Sequence, residues 1–322
     1  MKGKRKLKID YKSNKCYLLN QSPLYGLSNL KDLSILLRTP ITAIHKLRNN
    51  NECFYNVFIN KDGREIQEPI NLMYLIHNKL ASLFSRIHTP SYLHSFKKKH
   101  SYITNSKAHL SSNQVITFDI KSFYKSISQN TIRLFFKNKL KCSPDIAYLL
   151  SKICSYNNHV PTGSQASIDL IFLANQTMFD EMNALANKLN LCMTVYVDDI
   201  TISGDKVDMS TLNTMEKILK KYGYRVNKNK TCRYLGGQTP IITGVALYDG
   251  KISQTNIKYK GLRKKSSFLL GSAENLDLNL IKKEYNSLEG NINNLYQLSS
   301  PVPKETLEAK DKLGKLLGNI GN

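Results

Sequence analysis

Apolar positions along this chain switch between the periods of helices and strands, and the switches mark its elements. From Asn29 to Arg48 two short helical patterns follow one another, Leu30-Leu33-Leu36-Leu37 and Ile41-Ile44-Leu47, broken at Thr39-Pro40. Proline suits the first turn of a helix, where its missing N–H costs nothing, and Thr39 can cap that turn. Phe54 through Ile59 and Lys61 through Ile66 predict a hairpin over 54–68 that turns at Asp62-Gly63. A helix from about Leu72 to Ile87 follows. Val115-Ile116-Thr117-Phe118-Asp119-Ile120 is an apolar run of strand length that carries an acid near its end. Helical periods fill 129–155 and 166–190, and Cys192 to Ile202 alternates like a strand pair with Asp198-Asp199 at its tip. A helix near 211–222, an apolar hairpin at 241–253 and helices at 279–298 and 304–318 complete the pattern. Strands and helices mix without a repeating βαβ unit, which predicts an α+β fold.

Charge changes this picture more than composition does. The 322 residues include 47 Lys+Arg against 24 Asp+Glu, a formal net charge of +23. Such an excess attracts polyanions, nucleic acid or an anionic membrane. No stretch approaches the roughly 18–20 apolar residues that span a bilayer. Met1 to Lys8 is positive like the start of a signal peptide, but no apolar segment follows it. A cytoplasmic protein with a nucleic-acid partner and no membrane is therefore expected. Residues 1–20 read as a basic arm. The six cysteines are scattered, without a CxxC pair, and are expected to be free thiols.

In so basic a chain the acids within apolar strands are the informative residues. A lone carboxylate there is costly unless it is paired, hydrogen-bonded or bound to metal. Asp119, Asp198 and Asp199 on neighbouring strand ends make an oxygen-ligand cluster suited to Mg²⁺. Two such ions about 3.5–4 Å apart can activate a hydroxyl and stabilise a leaving pyrophosphate. The plain alternative is a polar turn. Turns usually carry Gly, Asn or Pro, whereas Tyr196-Val197 and Ile200-Thr201-Ile202 flank these acids directly.

Tyr196-Val197-Asp198-Asp199 resembles the YxDD box of reverse transcriptases, and Phe118-Asp119-Ile120-Lys121-Ser122-Phe123-Tyr124 resembles their first palm motif. The tetrapeptide alone is weakly specific; its company in order is not. Val160-Pro161-Thr162-Gly163-Ser164 is similar to the PQG-type nucleotide loop, with Thr162 where Gln is usual, and Gln165-Ala166 departs from its common continuation. Asn227-Lys228-Asn229-Lys230-Thr231 resembles the next motif, and Ile242-Thr243-Gly244-Val245 the hairpin under the primer end. The resemblance implies a right-handed polymerase with fingers, palm and thumb. Its implied boundaries are a basic arm and helical extension at 1–53, fingers and palm at 54–250 and a helical thumb at 251–322.

The resemblance also implies roles. Asp119, the Ile120 carbonyl, Asp198 and Asp199 would hold two Mg²⁺ ions. Arg64 and Lys230 would neutralise phosphate, and Tyr124 would lie under the sugar and exclude a 2′-OH, so that dNTPs are chosen. Thr162 and Gly163 would line the nucleotide, Gly163 by letting the backbone approach it. Asn105-Ser106-Lys107-Ala108-His109 resembles the NAxxH signature of retron enzymes, with Ser106 for Ala, and Ile242-Thr243-Gly244 resembles their VTG element. Asn105, His109, Thr243 and Gly244 would then contact RNA, as would Lys258, Lys260, Arg263, Lys264 and Lys265 of the tail. A retron enzyme would copy a dedicated structured RNA into RNA-linked DNA, primed from a 2′-OH, in phage defence beside an effector protein. The rivals are a reverse transcriptase of another bacterial class, another palm-type nucleotidyltransferase such as a cyclase, and a non-catalytic helix-turn-helix protein. The last would need only 29–48, where Thr42, His45, Lys46 and Arg48 are the outward polar groups, and leaves the acids unexplained.

Overall fold

The computed structural model describes residues 16–49 and 51–319, so most of the expected basic arm lies outside the described residues. The chain forms two compact units, each drawn from three separate stretches. The first takes residues up to Lys99, Phe118–Ile200 and Asp208–Thr231; the second takes His100–Thr117, Thr201–Val207 and the chain from Cys232 onward.

The first unit begins with α1 (Leu30–Leu37) and α2 (Ile41–Asn49). Asn29 caps α1 by accepting the Asp32 N–H at 2.9 Å, and Arg38 ends it at φ +53°. Leu33, Leu37, Ile44 and Leu47 are buried, so the apolar faces of both helices go to packing. The antiparallel hairpin β1 (Tyr55–Ile59) and β2 (Glu65–Pro69) pairs Phe58 with Ile66. Its turn is held by Asn60, whose Oδ1 accepts the N–H groups of Asp62 and Arg64, and Gly63 supplies the φ of +72°. α3 (Asn71–Phe84) buries Met73, Ile76, Leu80 and Phe84 at helical spacing.

α4 (Tyr102–Lys107) belongs to the second unit, and β3 (Gln114–Asp119) runs from the second unit into the first. α5 (Phe123–Ser126) and α6 (Gln129–Leu134) follow. The helical stretch expected at 129–155 is broken. α6 widens into a π-turn over Phe135–Lys139, Lys141 takes φ +56°, and α7 (Pro144–Ile153) starts afresh under a Ser143 cap. The extra residue in the wide turn lets Phe135 and Phe136 both face inward, at 3% and 0% exposure. α8 (Ser167–Lys188) leads to β4 (Cys192–Tyr196), β5 (Asp199–Gly204) and α9 (Met209–Lys221).

A four-stranded sheet has the order β4-β5-β3-β6, where β6 is only Cys232–Tyr234. β6 pairs antiparallel with β3, Val115 opposite Tyr234. In the second unit β7 (Ile241–Ile242), β8 (Val245–Tyr248) and β9 (Lys251–Gln254) form a small antiparallel sheet. Both of its turns have two residues at positive φ, Thr243-Gly244 and Asp249-Gly250, the arrangement that matches strand twist. Three helices end the chain: α10 (Asn256–Ser272), α11 (Leu278–Gln297) and α12 (Lys304–Asn319). Leu262, Leu269, Ile281, Leu288, Leu295 and Leu313 form their common core. The fold is thus mixed helix and sheet with small antiparallel sheets. No cysteine is in a disulfide, and among the described residues no helix is long and apolar enough to cross a membrane.

Candidate active site

Three carboxylates meet where β3 ends and β4 turns into β5. One oxygen each from Asp119, Asp198 and Asp199 lies within 4.8 Å of the others. Backbone bonds set this geometry: the Ile120 N–H donates to the Asp198 carbonyl at 3.1 Å, and the Asn227 N–H to the Asp119 carbonyl at 2.7 Å. The connection between β4 and β5 forces Val197 to φ +62°. A β-branched residue there costs about 1–3 kcal/mol, a strain that persists only where surrounding structure demands it. Ser95 answers it by accepting the Val197 N–H at 3.2 Å.

Asp119 is buried and doubly held: the Asn227 side-chain amide donates to Oδ2 at 3.0 Å, and Lys230 Nζ reaches Oδ1 at 3.4 Å. Burial, then the charges of Asp119 and Asp199, push the Asp198 carboxyl up to about 7. Burial and Asp119 raise Asp199 as well, opposed by Lys230. Tyr124, on α5, is raised by burial and then by the Asp198 charge, which puts its phenol within the field of the cluster. Crowded acids whose ionisation is penalised, offering only oxygen donors, fit a hard divalent cation better than a metal that prefers thiolate or imidazole.

The loop after α7 is stapled to β2. The Thr162 N–H and hydroxyl both donate to Gln67 Oε1 at 3.1 Å, and the Gly163 N–H donates to the Gln67 carbonyl at 3.1 Å. A Cβ on Gly163 would stand 2.6 Å from that carbonyl oxygen. The strand behind it is therefore a local reason for glycine at 163. Ser164 completes the loop by donating to Nδ1 of buried His77 at 2.5 Å, while His77 Nε2–H donates to the Ile153 carbonyl at 2.8 Å. Burial lowers the His77 imidazole to about 4. Arg64 is exposed at the end of the same hairpin.

The residues expected to touch RNA fall differently. Asn105 and His109 are each 1% exposed. The Asn105 amide donates to Thr243 Oγ1 at 3.4 Å, Ser106 to the Ile242 carbonyl at 2.9 Å, and Thr243 to the Tyr102 carbonyl at 3.2 Å. His109 Nδ1 lies 2.6 Å from the Ser203 hydroxyl. Asn105 and Ser106 thus hold the Thr243 turn, φ +47°, from inside the unit, while His109 is tied to Ser203. Lys258 caps the Gly244 carbonyl at 3.3 Å, Arg263 pairs with Glu305 at 2.7 Å and Lys265 pairs with Glu284. Of the five tail cations, Lys258, Lys260 and Lys264 are exposed without a carboxylate partner among the described residues. Sequence reasoning passed over Asn227 and Gln67. Asn227 carried a signal in sharing the motif of Lys230; Gln67 carried none.

Residues 55–264 match the family model described as reverse transcriptase (RNA-dependent DNA polymerase), well over half of the 322-residue chain. The chain belongs to this family. Among curated relatives it is 34% identical over 182 residues to the retron Se72 reverse transcriptase of Salmonella heidelberg, covering 53% of this chain and 47% of that protein. It is 24% identical over 248 residues to the retron Ec86 reverse transcriptase of Escherichia coli, covering 74% of this chain and 77% of that protein. The first match thus spans about half the length of the relative. All three acids and the Gln67–Thr162 staple lie inside the matched reverse transcriptase region.

Proposed function

We propose that this chain is the RNA-directed DNA polymerase of a retron, extending a 3′ end with dNTPs on an RNA template. The observation that carries this reading is the convergence of Asp119, Asp198 and Asp199 within 4.8 Å, inside the family-matched region. In this reading β1–β2 belongs to the fingers, the four-stranded sheet to the palm and α10–α12 to the thumb. The three acids would hold Mg²⁺, which when bound supplies charge neutralisation for the attacking hydroxyl and the departing pyrophosphate. Asn227 keeps Asp119 oriented by donating its side-chain amide to Oδ2. Lys230, 3.4 Å from Asp119, can exchange that partner for a phosphate, and Arg64 is exposed to do the same from the fingers. Tyr124 supplies bulk beside Asp198, where a 2′-OH would collide with it.

The retron branch adds a structured non-coding RNA as template, a 2′-OH of that RNA as primer, a role in phage defence with an effector protein, and a cytoplasmic site of action. The names of the two relatives, together with 105–109 and 242–244, support it. Protein expressed with its native flanking DNA should carry a small DNA joined to RNA through a 2′ linkage. A debranching nuclease should release that DNA, and Asp199→Asn should prevent its formation. Unbranched DNA alone would overturn the retron branch; no primer extension by the wild type would overturn the polymerase.

A further inference from the structure

A cleft of about 710 Å³ opens on the first unit between the end of α9 and residues 225–229. Its walls share the backbone that builds the active site. The Lys121 N–H donates to the Arg225 carbonyl at 2.8 Å, and Ile120 bridges Val226, so Lys121 and Arg225 are set side by side on neighbouring extended segments. Asn227 lines the cleft and holds Asp119 as well.

The lining is basic: Lys121, Lys220, Arg225 and Lys228 against the single acid Glu216. Glu216 is taken by Lys220 at 3.2 Å. Lys121, Arg225 and Lys228 are exposed and have no carboxylate partner among the described residues. Three like charges around one concavity repel one another, and their fields add within it. Among the described residues no ion pair offsets that repulsion, which a bound polyanion would reverse. Recognition here would be confined to phosphate. The aromatic side chain in the lining, Tyr224, is 4% exposed and its hydroxyl is bonded to Asn175, so no ring is available to stack a base. Cations without a base platform suit a sugar–phosphate backbone running past, whereas a free nucleotide would need a seat for its base.

We propose that this cleft is a docking groove for the phosphate backbone of an RNA strand, gripped by Lys121, Arg225 and Lys228. This assignment rests on reading the chain as a polymerase that acts on RNA. The test compares wild type with the triple variant Lys121→Gln, Arg225→Gln, Lys228→Gln. A control variant, Lys137→Gln, Lys139→Gln, Lys188→Gln, loses the same charge from exposed positions elsewhere in the first unit. Binding of a labelled single-stranded RNA of mixed sequence is followed by anisotropy across a salt series. The slope of log affinity against log salt should become shallower by about 2 in the cleft variant, at about 0.7 per single-strand phosphate contact. It should stay near the wild-type value in the control. Equal slopes in wild type and cleft variant, or an equal loss in the control, would overturn the groove.

Should the cleft variant fail to fold, hydrogen exchange of the wild type decides: RNA should protect the amides of 222–229, and unchanged exchange there sinks the proposal. Protection of that segment by inorganic tripolyphosphate, with the RNA slope unaltered in the variant, would make it a small-polyphosphate site and reject an RNA groove. Primer extension by the wild type, measured alongside, separates failure of the groove from failure of the polymerase reading.

Discussion

Asp198 is ionised at neutral pH only against the opposition of its surroundings. Its carboxyl sits at about 7 because burial and two neighbouring acids penalise the charge. Since the folded value lies above the ordinary one, the unfolded chain ionises first as pH rises. Stability is therefore lost between about pH 4 and pH 7 and is not regained above that window. Asp198→Asn removes the penalty, so in the presence of a chelator at pH 8 the variant should melt a few degrees higher than wild type. The gap should close towards pH 4, and added Mg²⁺ should raise the wild type more than the variant, while primer extension is abolished. A variant that melts lower at pH 8 would show that the carboxylate is stabilised by its neighbours. His77 has the opposite sign. Its imidazole is lowered to about 4 by burial, so stability present above about pH 6.5 is lost as pH falls to about 4. His77→Gln should flatten the fall in melting temperature across that window, and an unchanged slope would assign the acid sensitivity to another group.

At the scale of elements, the fit between β2 and the 161–164 loop is the part most easily broken. Gly163→Ala would bring a Cβ to 2.6 Å from the Gln67 carbonyl oxygen, a backbone atom that can move only if the strand moves. Thr162→Val removes just the hydroxyl that donates to Gln67, a loss of about 1 kcal/mol. The expected order in both melting temperature and KM for dNTP is therefore wild type, Thr162→Val, then Gly163→Ala as the worst. Measured stabilities in the reverse order would mean that the loop is free to leave the strand. This staple also marks the limit of what the chain discloses in advance. Helical periods gave α3, α8, α9, α11 and α12 to within a few residues, because each buries a stripe at its own spacing. The helical segments expected over 129–155 did not disclose the π-turn at Phe135–Lys139, since a one-dimensional period has no place for one. β6 is three residues of mixed polarity and escapes any pattern. The three acids stood out because carboxylates in apolar strands are costly. Their partner Asn227 lies 108 positions from Asp119, and only the folded chain brings it there. Asn105 and His109 stood out through a family-like motif, but the motif does not disclose that the fold buries both, Asn105 against Thr243 and His109 against Ser203.

At the scale of the whole molecule, the net charge of +23 must weigh on stability as well as on binding. Like charges spread over one folded chain repel at low ionic strength, where the screening length is about 30 Å at 0.01 M, and much less at about 8 Å in 0.15 M salt. Several cations are tied down locally, such as Lys221 with Glu181 at 2.8 Å and Lys312 with Glu274 at 2.9 Å, but the acids are too few to match them all. The free protein should therefore gain stability as NaCl is raised through that range. RNA reverses the sign. A ligand that binds only the folded state at about 100 times its Kd adds about 2.7 kcal/mol, and phosphate-driven affinity falls steeply with salt. Melting curves with and without a single-stranded RNA should thus converge: the free protein's midpoint climbs with NaCl while that of the complex descends. The comparison needs no knowledge of the native RNA, because backbone contacts carry affinity without sequence. Two midpoints that rise in parallel would mean that RNA neither neutralises the surface nor prefers the folded chain. The excess of lysine and arginine would then serve something other than nucleic-acid binding.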